Sequence, residues 1–258
     1  MKLRGFLIAL LILTSVVSIN ESFAYEPIPI TISSEMDKLQ FDGKWTVWNE
    51  WKKSTLTEYG GNIPIKLRSA HQGDYIYILA DVVGDIHIDK GLDKAVLCFD
   101  TKNDKTEIPN EDDYCFVSAL GGKNSPTLQG GSPLVLTNHF KQIDSHDDYI
   151  GYGSASDEND RYSNIPHATY EYRIPIEVIG RSSIYGFYLG VYDAHTDQTV
   201  TWPEGINVGR NEIPSPSLWG EIYSPDKSLP EFELPFLLLI PSMILIILFT
   251  KQKRFFKL

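Results

Sequence analysis

Tyr75-Ile76-Tyr77-Ile78-Leu79-Ala80-Asp81 alternates aromatic and aliphatic side chains, so both faces of an extended segment carry apolar area. A strand with one face in water shows apolar residues on one side only; apolar area on both sides marks a strand covered on each face. Working outward, short β-branched and aromatic runs recur between Gly, Pro, Asn and Asp clusters. They predict strands over 63–70, 75–83, 94–99, 114–120, 134–136, 149–155, 169–174, 185–193, 200–202 and 219–223. Helical periodicity is nearly absent, and only 45–53 and 176–179 look capable of a helical turn. The class is all-β, and so many short strands in one stretch imply a single antiparallel β-sandwich.

The two ends of the chain read differently. Lys2 and Arg4 precede an apolar stretch from Phe6 to Val17, and Ser22-Phe23-Ala24 offers small residues for a signal peptidase, so residues 1–24 read as a secretory signal peptide. An uncleaved helix would place both termini inside; either way residues 25–229 lie outside. At the other end, Pro230-Glu231-Phe232 opens a segment that is apolar from Leu234 to Phe249 and ends in Lys251, Lys253, Arg254 and Lys257. As a helix, residues 232–250 would reach roughly 28 Å, near the ~30 Å of a hydrocarbon core. Residues 230–258 are thus expected to form a transmembrane segment with a basic tail, holding a domain of residues 25–229 on the extracellular face.

The chain carries a net charge of −11, and most of its acid lies between these ends. Such a field argues against nucleic acid as a partner and suits solubility, cations or a cationic surface layer. Cys98 and Cys115 are the only cysteines. Their flanks read as two strands joined by a polar loop from Asp100 to Asp113, and export makes a cross-strand disulfide the first hypothesis, with two buried thiols as the alternative.

Several short motifs occur in a fixed order: Asp42-Gly43-Lys44-Trp45, Glu50-Trp51, the strand at Tyr75 to Asp81, Asp93 before Val96 to Asp100, Tyr170-Glu171-Tyr172-Arg173-Ile174-Pro175, and Trp219-Gly220-Glu221. In that order they resemble family-9 carbohydrate-binding modules, over residues ~40 to ~224. The superfamily also includes the haem-binding subunit of ethylbenzene dehydrogenase-like enzymes. With its tail the chain looks like an exported archaeal surface protein, and Pro230-Glu231-Phe232 resembles the sorting signals read by archaeosortases.

The resemblance implies a sugar site of stacking aromatic rings, often with a structural calcium. Trp202, Trp48, Trp51 and Tyr188 are the candidate rings, Trp202 first because it precedes Pro203 at a strand end. Calcium needs hard oxygens from short loops. Asp100, Asn103 and Asp104, with Asp112 across the hairpin, supply them, as does Asp157-Glu158-Asn159-Asp160. If extended, Asp85-Ile86-His87-Ile88-Asp89 would present Asp85, His87 and Asp89 on one face as a transition-metal row. Haem is not expected, since the related haem subunits use a methionine ligand and only Met36 lies in the exported part. No GxSxG or HExxH motif occurs, so an enzyme is not expected. The expectation is a non-catalytic cell-surface binding protein with a glycan or surface-layer partner. The alternatives are an accessory electron-transfer or metal-binding subunit and a structural envelope protein.

Overall fold

The computed structural model describes residues 25–46, 49–122 and 125–225. The expected signal peptide, the expected membrane span with its basic tail, and Trp48 lie outside the described residues. Among those residues no helix is long and apolar enough to cross a membrane.

In chain order the strands are β1 (Ile28–Pro29), β2 (Thr31–Ile32), β3 (Thr55–Tyr59), β4 (Ile65–Gln72), β5 (Tyr75–Val82), β6 (Lys94–Asp100) and β7 (Asp113–Ala119). There follow β8 (Thr127–Gln129), β9 (Lys141–Ile143), β10 (Ile150–Ala155), β11 (Ala168–Pro175), β12 (Ile184–Asp193), β13 (Gln198–Trp202) and β14 (Gly220–Tyr223), with one helix, α1 (Ile176–Ile179). They form two sheets. The first runs β1-β14-β12-β6-β7-β8-β9 with β13 also on β12, and the second runs β10-β11-β5-β4-β2 with β3 also on β4. Pairing is antiparallel except at β1 on β14 and β2 on β4. These two short strands make the segment 28–32 a strap joined to both sheets, with Ile28 and Ile30 in the core.

β5 bears out the two-faced reading. Ile76, Ile78, Ala80 and Val82 face the inter-sheet core, while Tyr77 and Leu79 face an outer cluster with Met36, Trp45 and Trp51. The inter-sheet core joins these to Leu97 and Phe99 of β6, Phe116 of β7, and Phe187 and Leu189 of β12. Each such side chain, fully buried, stabilises by about 1.5–3 kcal/mol. The outer face of the first sheet is covered too, where Cys98, Cys115 and Tyr188 pack with Phe140 and Trp219. Cys98 and Cys115 stand opposite one another in the β6–β7 register and form a disulfide across a separation of 17 residues. Closing a loop of that size stabilises by about 3 kcal/mol in the chain-entropy model.

Two local expectations differ from what forms. The apolar triplet Leu134-Val135-Leu136 is no strand: Val135–Thr137 is a single 3₁₀ turn, and Asn138 and His139 take φ of 48° and 63°. The reversal leaves Leu136 wholly exposed with no partner strand to pair with. Residues 49–53 make turns rather than a helix, whereas Ile176–Ile179 does form one helical turn after Pro175.

Candidate functional site

Of the expected stacking rings, Trp51, Trp202 and Tyr188 are buried among the described residues. Trp51 is fully buried beneath the second sheet's outer cover, and its indole Nε1 donates to Glu171 Oε1 at 2.9 Å. The other oxygen of Glu171 accepts from Gly43 N at 2.7 Å. Gly43 has φ +82°, and a Cβ there would lie 2.6 Å from Ser154 Cβ, so only glycine lets the backbone reach the carboxylate. Motifs far apart in the sequence thus meet in one buried unit. Burial pushes the Glu171 carboxyl up to about 8, against the two N–H donors that favour its charged form. Trp202 is 5% exposed and packs on Phe187 with ring centroids 5.5 Å apart. Tyr188 stacks on Trp219 at 6.3 Å beside the disulfide. Cover over the outer faces takes the rings of Trp51 and Tyr188, and the inter-sheet core takes that of Trp202.

An open polar cleft of about 460 Å³ lies elsewhere, where β5 begins and α1 ends. Its walls include Asp74, Tyr75, His146, Asp148, Glu177 and Arg181. The turn before β5 brings Asp74 O to Ile176 N at 2.8 Å, which docks α1 beside Tyr75. Arg181 Nη2 pairs with Asp74 Oδ1 at 2.6 Å, and the Tyr75 hydroxyl donates to Asp148 Oδ2 at 3.2 Å. His146 Nε2 stands 3.5 Å from Glu177 Oε2. The Arg173 guanidinium lies 4.9 Å from the Tyr75 ring centroid. The cleft thus sets one aromatic ring among paired hydrogen-bond donors and acceptors. A second cleft of about 510 Å³ is lined by Ser125, Gln142, Asp144, Ser145 and Tyr149.

The β6–β7 hairpin gathers most of the oxygens expected for calcium. Asp100, Asp104 and Asp112 each place a carboxylate oxygen within 4.8 Å of the others. Asn103 takes φ 54° and Lys105 φ 52°, which curls the loop back over Asp100, whose oxygens accept from Asp104 N at 3.3 Å and Lys105 N at 2.9 Å. The Asn103 amide donates to Glu221 Oε1 at 3.0 Å. Its carbonyl Oδ1 and Asp112 Oδ2 are buried with no hydrogen-bond partner among the described residues. Buried oxygens in that condition fit a hard cation. Lys102, donating to Asp112 Oδ1 at 3.2 Å, supplies one positive charge at the rim.

The row Asp85, His87, Asp89 does not form. The chain turns at 83–84 instead of staying extended, so Asp85 is buried and His87 exposed. His87 instead stacks its ring on that of His195, with centroids 3.5 Å apart. What the sequence reading missed are two buried acid clusters, Asp81 with Asp160 and His167, and Asp85 with Asp93 and Asp193. The signal available was an acid closing an apolar strand, at Asp81 in β5 and Asp193 in β12. In the first cluster His167 Nε2 bonds Asp81 and lies 3.8 Å from Asp160 Oδ1, while Nδ1 meets Ile165 O at 2.8 Å and Ser156 Oγ at 2.9 Å. Burial opposes charge on His167, but the Asp81 carboxylate outweighs it and holds the imidazole above its ordinary value. With Nδ1 directed at a carbonyl it carries a proton. It therefore cannot take one from Ser156, and the Ser-His-Asp alignment is a structural pin, not a nucleophile.

No family model matches the chain, and no curated protein matches it. Among solved structures it is similar to a family-9 carbohydrate-binding module from Caldicellulosiruptor kristjanssonii in complex with cellotriose. There the identity is 15% and the TM-score 0.48, over 79% of this chain and 96% of that one. A structure of a family-9 module from the same organism in complex with glucose matches at 16% identity and a TM-score of 0.48, over 79% and 98%. At that identity and score the likeness says nothing of a ligand.

Proposed function

We propose that this chain is a non-catalytic, exported binding protein that holds a carbohydrate in the cleft at Tyr75 and Arg181, on a domain displayed at the cell surface by its C-terminal segment. The observation that carries the reading is the lining of that cleft. Tyr75 supplies a ring with the Arg173 guanidinium over one face, and Asp74, Asp148, Glu177 and Arg181 surround it with hydrogen-bonding groups suited to vicinal hydroxyls. The order of short sequence motifs shared with sugar-binding modules supports the same class. Display is supported by the signal-like start and by the apolar end with its basic flank; cleavage near Pro230 by an archaeosortase-type enzyme would replace the span by a lipid anchor.

Calcium belongs to this reading as a stabiliser. Asp100, Asp104, Asp112 and the Asn103 carbonyl would hold it, and it would add to the one positive charge that Lys102 brings to these carboxylates. Isothermal titration of the full-length chain in detergent against a panel of oligosaccharides tests the reading. Heats at millimolar sugar or below that vanish in Tyr75→Ala and Arg181→Ala are expected. No binding by the wild-type chain, or binding that both variants retain, overturns the assignment of the cleft. Stable self-association without any sugar uptake would instead favour a structural envelope role.

A further inference from the structure

The second acid cluster stands at the end of the sandwich, between the sheets and away from both the cleft and the β6–β7 hairpin. Asp85 follows β5, Asp93 precedes β6 and Asp193 closes β12. They are 1%, 0% and 4% exposed, with one oxygen of each within 4.8 Å of the others. Backbone N–H groups orient all three. Asp93 accepts from Ala194 N at 2.9 Å and Asp89 N at 2.7 Å, and Asp193 from His195 N at 2.8 Å and Thr196 N at 3.3 Å, while Asp85 Oδ1 accepts from His87 N at 3.3 Å.

Two polar atoms are left over. Among the described residues Asp85 Oδ2 is buried without a hydrogen-bond partner, and so is the hydroxyl of Tyr170, a side chain that is 0% exposed. Tyr170 reaches the cluster from β11, whose first residue donates through Ala168 N to Asp85 O at 3.0 Å, and its hydroxyl feels all three carboxylates. The charges that bear most on Asp85 are Asp193, Asp93 and Asp89, all of one sign. Three like charges so close in a low dielectric repel strongly, and an unpartnered phenol beside them is costly in its own right. One bound cation would remedy both.

We propose that Asp85, Asp93 and Asp193, with the Tyr170 hydroxyl of β11 beside them, form a binding site for a hard divalent cation of the calcium class. Oxygen-only donors exclude a soft thiolate or imidazole site and suit calcium, magnesium or manganese. An ion there would tie β5 and β11 of one sheet to β6 and β12 of the other. The site is independent of the sugar cleft and of the hairpin carboxylates, and each can fail without the other.

The test is calcium titration of the chelator-treated full-length chain, followed by calorimetry, thermal melting and tyrosine-sensitised terbium luminescence. Calcium should raise Tm, and Asp193→Asn should weaken one class of sites by about ten-fold or more. Asp104→Asn, in the hairpin, should leave that class unchanged. Tyr170→Phe keeps the packing of the ring and should lower the terbium emission of that class alone. Should Asp193→Asn fail to fold, Asp85→Asn and Tyr170→Phe give the same readout. Wild-type affinity and stoichiometry in Asp193→Asn or Asp85→Asn, or a chelated wild-type chain that takes up no calcium, overturns the proposal.

Discussion

Asp81 lies near the end of β5 and Asp85 in the turn that follows, yet the fold settles the two acids in opposite ways. Asp81 faces outward beneath the cover of the second sheet and meets an internal cation, His167, with Asp160 beside it. Asp85 turns inward between the sheets and, besides the His87 N–H, meets Asp93, Asp193 and a phenol. The first cluster carries an internal cation, although Asp81 Oδ2 and Asp160 Oδ2 are buried without a hydrogen-bond partner among the described residues. The second is oriented by N–H groups and has no counter-charge in the cluster among the described residues, so it depends on a proton or an ion. Burial together with the neighbouring carboxylates accordingly raises Asp85 to about 7. A buried acid is a structural element when its partner is covalently part of the chain, and a binding site when its partner must be recruited.

The sharpest way to break this contrast is His167→Ala. It would leave Asp81 and Asp160 buried without their cation and should cost about 3–5 kcal/mol in denaturant unfolding at neutral pH. Glu171 sits between the two cases, since its buried carboxyl is held by the N–H groups of Trp51 and Gly43. Trp51→Phe removes one donor and should cost about 1–3 kcal/mol beyond any change in packing.

The same glutamate sets a pH dependence. Its folded form keeps a proton that the unfolded chain gives up near the ordinary 4.5, so its contribution is complete below that value and is lost as pH rises through about 8. His167, also raised, acts in the same direction. Melting followed by circular dichroism should therefore show Tm falling from about pH 5 to about pH 9, and a flatter profile in Glu171→Gln. The smallest effect is expected at Asp85→Asn in chelator. One of three repelling carboxylates is removed, so stability should change by less than about 1 kcal/mol, and upward, where Asp81→Asn is clearly destabilising.

Much of the scaffold was legible because it rests on patterns local to each strand. The two-sided apolar run of β5, the paired strands around Cys98 and Cys115, and the helical turn after Pro175 all follow from side-chain alternation, compartment and backbone restriction. The ordered motifs around Gly43, Trp51 and Glu171 were legible as an order, though not as one hydrogen-bonded unit. The strands β1, β2, β3, β8 and β9 were missed, being short or largely polar, with pairing partners that the sequence does not specify. Of the site, Asp100, Asp104 and Asp112 were legible because a hairpin brings its two ends together whatever else happens.

The rings at Trp202, Trp51 and Tyr188 were not legible as core. An aromatic residue at a strand end is exposed or buried according to whether a distant loop folds over it, and here Trp219 and Phe140 cover Tyr188 while Glu171 holds Trp51. Asp85 and His87 likewise part company through a turn that alternation alone does not announce.

By itself the sequence determined that this chain makes layered β-sheets, that Cys98 and Cys115 lie on facing strands, and that its middle is acidic between two apolar ends. Periodicity and composition are properties of neighbouring residues and survive without any knowledge of the fold. The tertiary structure alone decided which aromatic rings are hidden, where an open polar cleft remains, and which acids meet. Those are contacts between residues far apart in the chain, and their energies exist only once loops and sheets have closed over one another.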